Sequence, residues 1–316
     1  MSVEVTTSMV KQFSSNVFHL SQQKGSRLRG TVRVESQNAE AAFYDRIGAV
    51  TAKEKTSRHS DIEYSDTPHS RRKVTMADFY YADLVDKEDK LRLIMDPESE
   101  YSKAAYMTLG RKMDDVIIAG LLGNAYGGKE GTQAIALPNS QKVAAFDGTA
   151  TAGRKLNLKT LKAIKKKFTK NEALDMDTDL IYLTVTSEQI ESLLDEQELT
   201  SADFNSVKAL VAGTIDTFYG FKFIRIERMP TNSAAITYNK DTGAVGTGSQ
   251  TIALGTAKSM IAWVPSALIM ALGSDVQGRI DEIPQKHYSK QVYASMTIGA
   301  ARLEEEKVVE VICLES

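Results

Sequence analysis

Few residues in this chain could carry chemistry. The four histidines, His19, His59, His69 and His287, lie in segments of unlike type, with no H-E-x-x-H and no paired ligand spacing, so they read as surface or interface polar groups. Asp175, Asp177 and Asp179 begin like a calcium loop. Leu180 stands where that loop needs glycine and Thr186 where it needs the closing glutamate, so a solvated loop is expected. The glycines from Gly243 to Gly248 do not follow the G-x-G-x-x-G spacing, and neither a phosphate-binding G-x-x-x-x-G-K-S/T nor a G-x-S-x-G elbow occurs. Cys313 is the single cysteine, which excludes an intrachain disulfide and a multi-thiolate zinc site. Asp114 and Asp115 are adjacent on a helical stretch and read as its solvated face. No acid, base, nucleophile or metal set emerges, so no enzyme and no cofactor are expected.

Charge is the other possible source of function. The net charge of −2 gives no overall attraction to nucleic acid or to anionic membrane, although local basic patches remain possible. One such patch runs from Arg154 to Lys170, with eight Lys or Arg and no acid. Without interleaved aromatics to stack bases, it reads as a solvated or intersubunit helix face, with nucleic-acid binding as an alternative. A second concentration of charge lies at Arg58, Asp61, Glu63, Asp66, Arg71, Arg72 and Lys73. The first 13 residues lack the layout of a signal peptide, and the uncharged run between Lys258 and Asp275 is shorter than the roughly 20 apolar residues that span a bilayer.

The elements that would position these charges are legible in part. Residues 1–35 form a basic arm with Lys11, Lys24, Arg27, Arg29 and Arg33, thin in apolar residues and interrupted by Gly25 and Gly30. From Ala49 the pattern predicts a strand through Tyr64, a turn at Ser65 to Pro68, and a second strand from Ser70 to Val85. An isolated hairpin is marginal in water, so one this charged calls for a neighbouring subunit or remains a solvated loop. Asp96 as N-cap and Pro97 at the first helical position open a helix over about 97–123. Its apolar stripe is Tyr106, Leu109, Met113, Val116, Ile117, Gly120 and Leu121, and it reaches roughly 40 Å.

Beyond it, a helix from Asn157 turns Leu158, Leu161, Ile164 and Phe168 inward, followed by the buried strand DLIYLTV. Thr186 and Gln189 have capping-box spacing, and Ser201 and Asp203 open a further short helical piece. Then come the strand in YGFKFIRIERMP, an apolar element from Met260 to Ala271 broken at Pro265, and two closing strands joined by Glu304, Glu305 and Glu306 as an antiparallel ribbon. Helices and strands mix without a βαβ rhythm, which makes the fold class α+β.

The succession of basic arm, charged hairpin, long helix capped before Pro97, YGFKFIRIERMP ahead of Ile261-Ala-Trp263, and the closing GAARLEEEKVVEVICLE resembles the major capsid proteins of tailed bacteriophages, which have the Hong Kong 97 fold. The resemblance implies an N-terminal arm at 1–47 lying along neighbours and an extended loop, a β-hairpin, at 48–85. It implies a peripheral domain at 86–155 and 276–316, made of the long helix and the terminal ribbon, and an axial domain at 156–275.

The function so implied is structural: a subunit forming pentamers and hexamers of an icosahedral shell around double-stranded DNA, assembled in the host cytoplasm and carried in the virion. An encapsulin-like compartment shell is the alternative within the same fold. Expected partners are other copies of the chain, a portal, DNA through non-specific contacts, and, because the arm is too short to hold a scaffolding segment, a separate scaffolding protein; no membrane is expected. Arg27, Arg29, Arg33, Arg58, Asp61, Glu63, Arg71, Arg72 and Lys73 are the expected intersubunit residues, since charge fixes register and rejects wrong neighbours. Lys53, Lys55 and Lys73 are read as ion-pair partners rather than crosslinking residues.

Overall fold

The structure is a computed structural model that describes residues 22–55, 57–59, 61–85, 97–147, 154–174, 180–195, 217–232, 234–248, 250–253 and 255–315. In chain order the strands and helices are β1 (Arg33–Ser36), β2 (Ala41–Ile47), β3 (His69–Thr75), β4 (Ala77–Val85), α1 (Pro97–Leu122), β5 (Ala125–Gly127), β6 (Gln133–Ile135) and β7 (Lys142–Ala144). Next come α2 (Leu158–Lys170), β8 (Ile181–Val185), α3 (Ser187–Asp195), β9 (Thr217–Phe218) and β10 (Phe221–Arg225). The chain closes through β11 (Ile236–Tyr238), β12 (Gln250–Ile252), β13 (Ala257–Trp263), β14 (Leu268–Ile283), β15 (Ser289–Arg302) and β16 (Val308–Leu314). The mixture is α+β, as expected. Two compact units are distinguished, and each is described by itself.

The larger unit takes the described residues of Arg27–Met76, Asp115–Leu272 and Gly299–Ser316. Its centre is a six-stranded mixed sheet in the order β7-β16-β13-β8-β10-β9. Helix α2 lies on this sheet as the sequence period demands: Leu158, Leu161, Ile164 and Phe168 are buried. Asn157 caps it, accepting from the Thr160 amide at 2.8 Å and the Thr160 hydroxyl at 2.6 Å, so the first turn closes without losing a backbone partner. The Thr186 and Gln189 capping box does not form. Gln189 is buried and bonds elsewhere, accepting from the Leu156 amide at 2.6 Å and donating to the Leu314 carbonyl at 2.8 Å. The Glu227 carboxylate takes over, accepting from the Ser187 amide at 2.9 Å.

The closing strands do not pair with each other. β16 lies between β13, antiparallel, and β7, parallel, whereas β15 pairs with β4 in another sheet, so the chain changes sheets at the acidic turn. A six-stranded sheet with two apolar faces offers β16 a buried slot on both edges, which a two-stranded ribbon could not. The predicted hairpin is also redrawn. β2, not a strand from Ala49, pairs with β3 in the register Ala41 to Thr75 through Ile47 to His69, and β5 and β6 extend that sheet. The Gly48 amide donates to the Pro68 carbonyl at 2.9 Å, closing the strands, and the described residues from 49 to 67 contain no strand. Lys, Glu, Ser and Thr dominate that stretch and offer no alternating apolar face.

The arm is likewise tied down by its own chain. Leu28 is fully buried, Trp263 donates its indole N–H to the Thr31 carbonyl at 3.1 Å, and β1 runs parallel to Ile269 through Leu272. Residues 1–21 of the expected arm, Asp96 as a cap, the helical piece at 201–210 and the candidate calcium loop at 175–179 lie outside the described residues.

The smaller unit takes the described residues of Met1–Ser26, Ala77–Asp114 and Gly273–Ile298. Here β4 pairs antiparallel with β15, from Ala77 opposite Ile298 to Val85 opposite Lys290, and Tyr80 stacks on Tyr293. Along α1 the buried row is Ala105, Leu109 and Met113, whereas Tyr106, expected in the stripe, stands half out. Asp114, expected in water, is buried and accepts from the Ser26 hydroxyl at 2.5 Å and from the Gln23 side-chain amide. The chain crosses α1 here with glycine against glycine: a Cβ on Gly110 would stand 2.6 Å from the Gly25 Cα. Gly110→Ala is therefore expected to expel residues 22–26 from the helix, seen as faster tryptic cleavage at Lys24 and Arg27 while cleavage rates elsewhere are unchanged.

Candidate assembly surfaces

At the base of the β2–β3 hairpin three guanidinium groups converge on one carboxylate. Arg72 donates to Glu305 Oε1 at 2.6 Å, Arg302 Nε lies 3.7 Å from the same oxygen, and Arg46 Nη1 lies 3.7 Å from Oε2. Arg302 is fully buried and donates to the carbonyls of Leu121 at 2.6 Å, Gly123 at 2.9 Å and Ile135 at 3.1 Å. Those carbonyls belong to the C-terminal end of α1 and to β6, where the helix leaves acceptors without intrahelical partners. Arg46 also donates to the Leu303 carbonyl. Burial pulls the Arg72 and Arg302 pKa values down from their ordinary value, and the Glu305 charge pushes back against it.

This geometry sorts the nine charges expected between subunits. Arg72 leaves that set: it is 3% exposed and committed to Glu305 of its own chain, a consequence of the inward phase of β3 that a period-two reading around Val74 could have found. Arg71, one residue on, points the other way, pairs with Asp45 at 2.9 Å and lies over the Phe43 ring at 5.4 Å. Lys73 is half-buried, its stem against Gly131. Glu63 pairs with Lys53 at 3.0 Å, and Arg58 and Asp61 are exposed with no ion pair among the described residues. Arg33 pairs with Glu35, Arg27 donates to the Arg225 carbonyl, and Arg29 opens the short turn Arg29–Thr31. The structure thus brings Arg71 and Arg72 to one hairpin base and leaves Arg58 and Asp61 out on the loop. Sequence reasoning missed Arg46, Arg302 and Glu305, although three successive glutamates after a lone arginine were a signal.

The loop from 48 to 68 carries apolar side chains into water. Ile62 is 78% and Tyr64 88% exposed, with Ile47 and Val50 alongside. Large apolar groups gathered on one loop mark a contact surface rather than ordinary scatter.

The basic run is not one uniform face. Lys167 is drawn inward, donating to the carbonyls of Ser140 and, at 2.9 Å, Lys142; burial lowers its pKa to about 8. Lys165 lies over the Tyr219 ring at 4.7 Å, Lys159 donates to the Asp147 carbonyl at 3.0 Å, and Arg154 pairs with Asp147 at 2.8 Å. Lys162, Lys166 and Lys170 are exposed. The Cys313 thiol is fully buried and its pKa pushed far up, which leaves no nucleophile there. Among the described residues no group of His, Cys, Asp and Glu could hold a metal, and no helix is long and apolar enough to cross a membrane.

Two tests follow from these contacts. Glu305→Gln keeps the shape and removes the charge, leaving buried guanidinium groups uncompensated; a loss of about 3–5 kcal/mol in denaturant unfolding is expected. Lys167 has a folded-state pKa near 8, below the ordinary 10.5, so the folded state releases its proton first and stability should rise between those pH values. Lys167→Met should abolish that rise in unfolding experiments at pH 7.5 and 10.

Comparison with known proteins gives these surfaces a context. The family model described as phage capsid protein matches residues 5–315. No curated protein matches the sequence. Among solved structures, the capsid of cyanophage P-SCSP1u superposes with a TM-score of 0.73 at 14% identity, covering 99% of this chain and 95% of that one. The capsid of cyanophage Pam1 gives 0.72 at 12%, covering 98% and 97%, and that of Helicobacter pylori bacteriophage KHP30 gives 0.69 at 11%, covering 99% and 98%. The chain belongs to the phage capsid protein family: it is a major capsid subunit of a tailed phage, a non-enzymatic shell protein of the Hong Kong 97 type of fold, and a component of the virion.

Proposed function

We propose that copies of this subunit close into rings of five and six that tile an icosahedral shell around double-stranded DNA, with the loop at 48–68 gripping a neighbouring subunit. In this reading the arm is 1–47, the extended loop 48–85, the peripheral domain 86–155 with 276–316, and the axial domain 156–275. A portal and a separate scaffolding protein complete the assembly, and DNA is met through non-specific charge contacts. The observation that carries the proposal is the exposure of Ile62 and Tyr64, the two most exposed large apolar side chains among the described residues, on a loop whose described residues form no strand.

A loop of this kind cannot repay its ordering entropy alone and gains burial only against another surface. Arg58 and Asp61, exposed at the same tip, would then select the correct neighbour and register, while many weak contacts per subunit sum to a stable shell. Arg71, half-buried beside Asp45, serves as a further contact at the hairpin base.

The test keeps the internal guanidinium cluster intact. Ile62→Ser with Tyr64→Ser should leave a folded, soluble subunit with an unchanged circular dichroism spectrum that yields no closed particles by negative-stain electron microscopy. Normal shells from this double variant would refute the role given to the loop.

A further inference from the structure

The uncommitted lysines of α2 form a straight row. Lys162, Lys166 and Lys170 follow each other at four-residue steps, about 6 Å apart along the axis, all three exposed and without an ion pair among the described residues. Like charges at this spacing oppose helix formation, and the run from 154 to 170 holds no acid to offset them. Of its other cations, Arg154, Lys159, Lys165 and Lys167 have the partners given above, and Lys155, half-buried, lies ahead of the helix.

Helix α3 of the same unit carries the opposite pattern. Glu188, Glu191 and Asp195 lie on one side at steps of three and four residues, Glu191 and Asp195 exposed and without an ion pair among the described residues. Glu188 Oε2 is buried with no hydrogen-bond partner. The lysine row extends about 12 Å and the acidic row about 10 Å, so the two match in length and are opposite in sign.

We infer that α2 of one copy meets α3 of the next through these rows, a head-to-tail contact that closes into a ring. This rests on the shell reading above and deepens it by naming one contact. A phosphate backbone would satisfy only the lysine row, whereas a second copy satisfies both rows at once. Each copy would present its lysine row to one neighbour and its acidic row to another, a heterologous contact, which is what a ring of five or six requires.

Charge reversal tests the pairing in the full-length chain. Lys162→Glu with Lys166→Glu lies inside α2, and separately Glu191→Lys with Asp195→Lys puts positive charge toward the C-terminal end of α3, so neither pair opposes its helix dipole. Each double variant should keep its circular dichroism spectrum and lose assembled material by at least about tenfold in sedimentation velocity and electron microscopy. The combined fourfold variant, complementary again, should recover rings or shells.

Wild-type assembly by either double variant, or no recovery by the combined one, would overturn the contact. So would normal assembly with loss of duplex-DNA binding in the lysine variant, which would assign that row to phosphate. Failure of the unaltered chain to form any ring or shell, alone or with its scaffolding protein, would instead remove the shell reading itself.

Discussion

Glu305 stands between Arg72 and Arg302 with Arg46 nearby, and this arrangement fixes where the hairpin begins. Arg72 comes from β3, Arg46 from β2, and Arg302 from the end of β15, with its guanidinium spread over carbonyls of Leu121, Gly123 and Ile135. One carboxylate thus joins the hairpin base, the end of the long helix and the turn into β16. Desolvating three guanidinium groups is costly, and the cluster is tolerable because planar donors and backbone acceptors meet in fixed geometry. Removing Glu305 would leave the guanidinium groups of Arg72 and Arg302 buried without its charge, so one carboxylate couples these elements.

A rigid base gives meaning to the loop beyond it. Gly48 and Pro68 close the paired strands, and from there the chain carries Ile62 and Tyr64 outward, both largely exposed. A loop that folds on its own base would be a poor grip; a loop held at the base and unsatisfied at the tip is suited to a neighbour. The same division appears in α2, where Lys167 is spent on two carbonyls while Lys162, Lys166 and Lys170 are left outward. In both places charges committed to the chain's own fold stand beside charges that fold leaves open.

Much of the fold was legible in periodicity. The 3.6 spacing of Leu158, Leu161, Ile164 and Phe168 named the buried face of α2, and Asn157 named its cap, because these depend on neighbours a few residues away. What depended on distant partners was not legible. Gln189 has the spacing of a capping residue, yet a buried amide satisfies whichever backbone groups lie near, and those were at Leu156 and Leu314. Asp114 looked like a solvated acid until Ser26 and Gln23 came over it. Arg72 looked like its neighbours Arg71 and Lys73, and only the phase of β3 sends it inward to Glu305. The closing strands read as a ribbon because sequence order favours adjacent pairing, whereas β13 and β7 offered β16 more buried edge.

The most direct measurement is a cryo-electron microscopy reconstruction of shells assembled from this chain. The expected map buries Ile62 and Tyr64 against an adjacent subunit while Arg72, Arg302 and Glu305 stay joined within each subunit at every position of the lattice. A map in which Arg72 pairs with a neighbour's carboxylate, or in which Ile62 and Tyr64 stay in solvent, would contradict the division between a fixed base and a gripping tip.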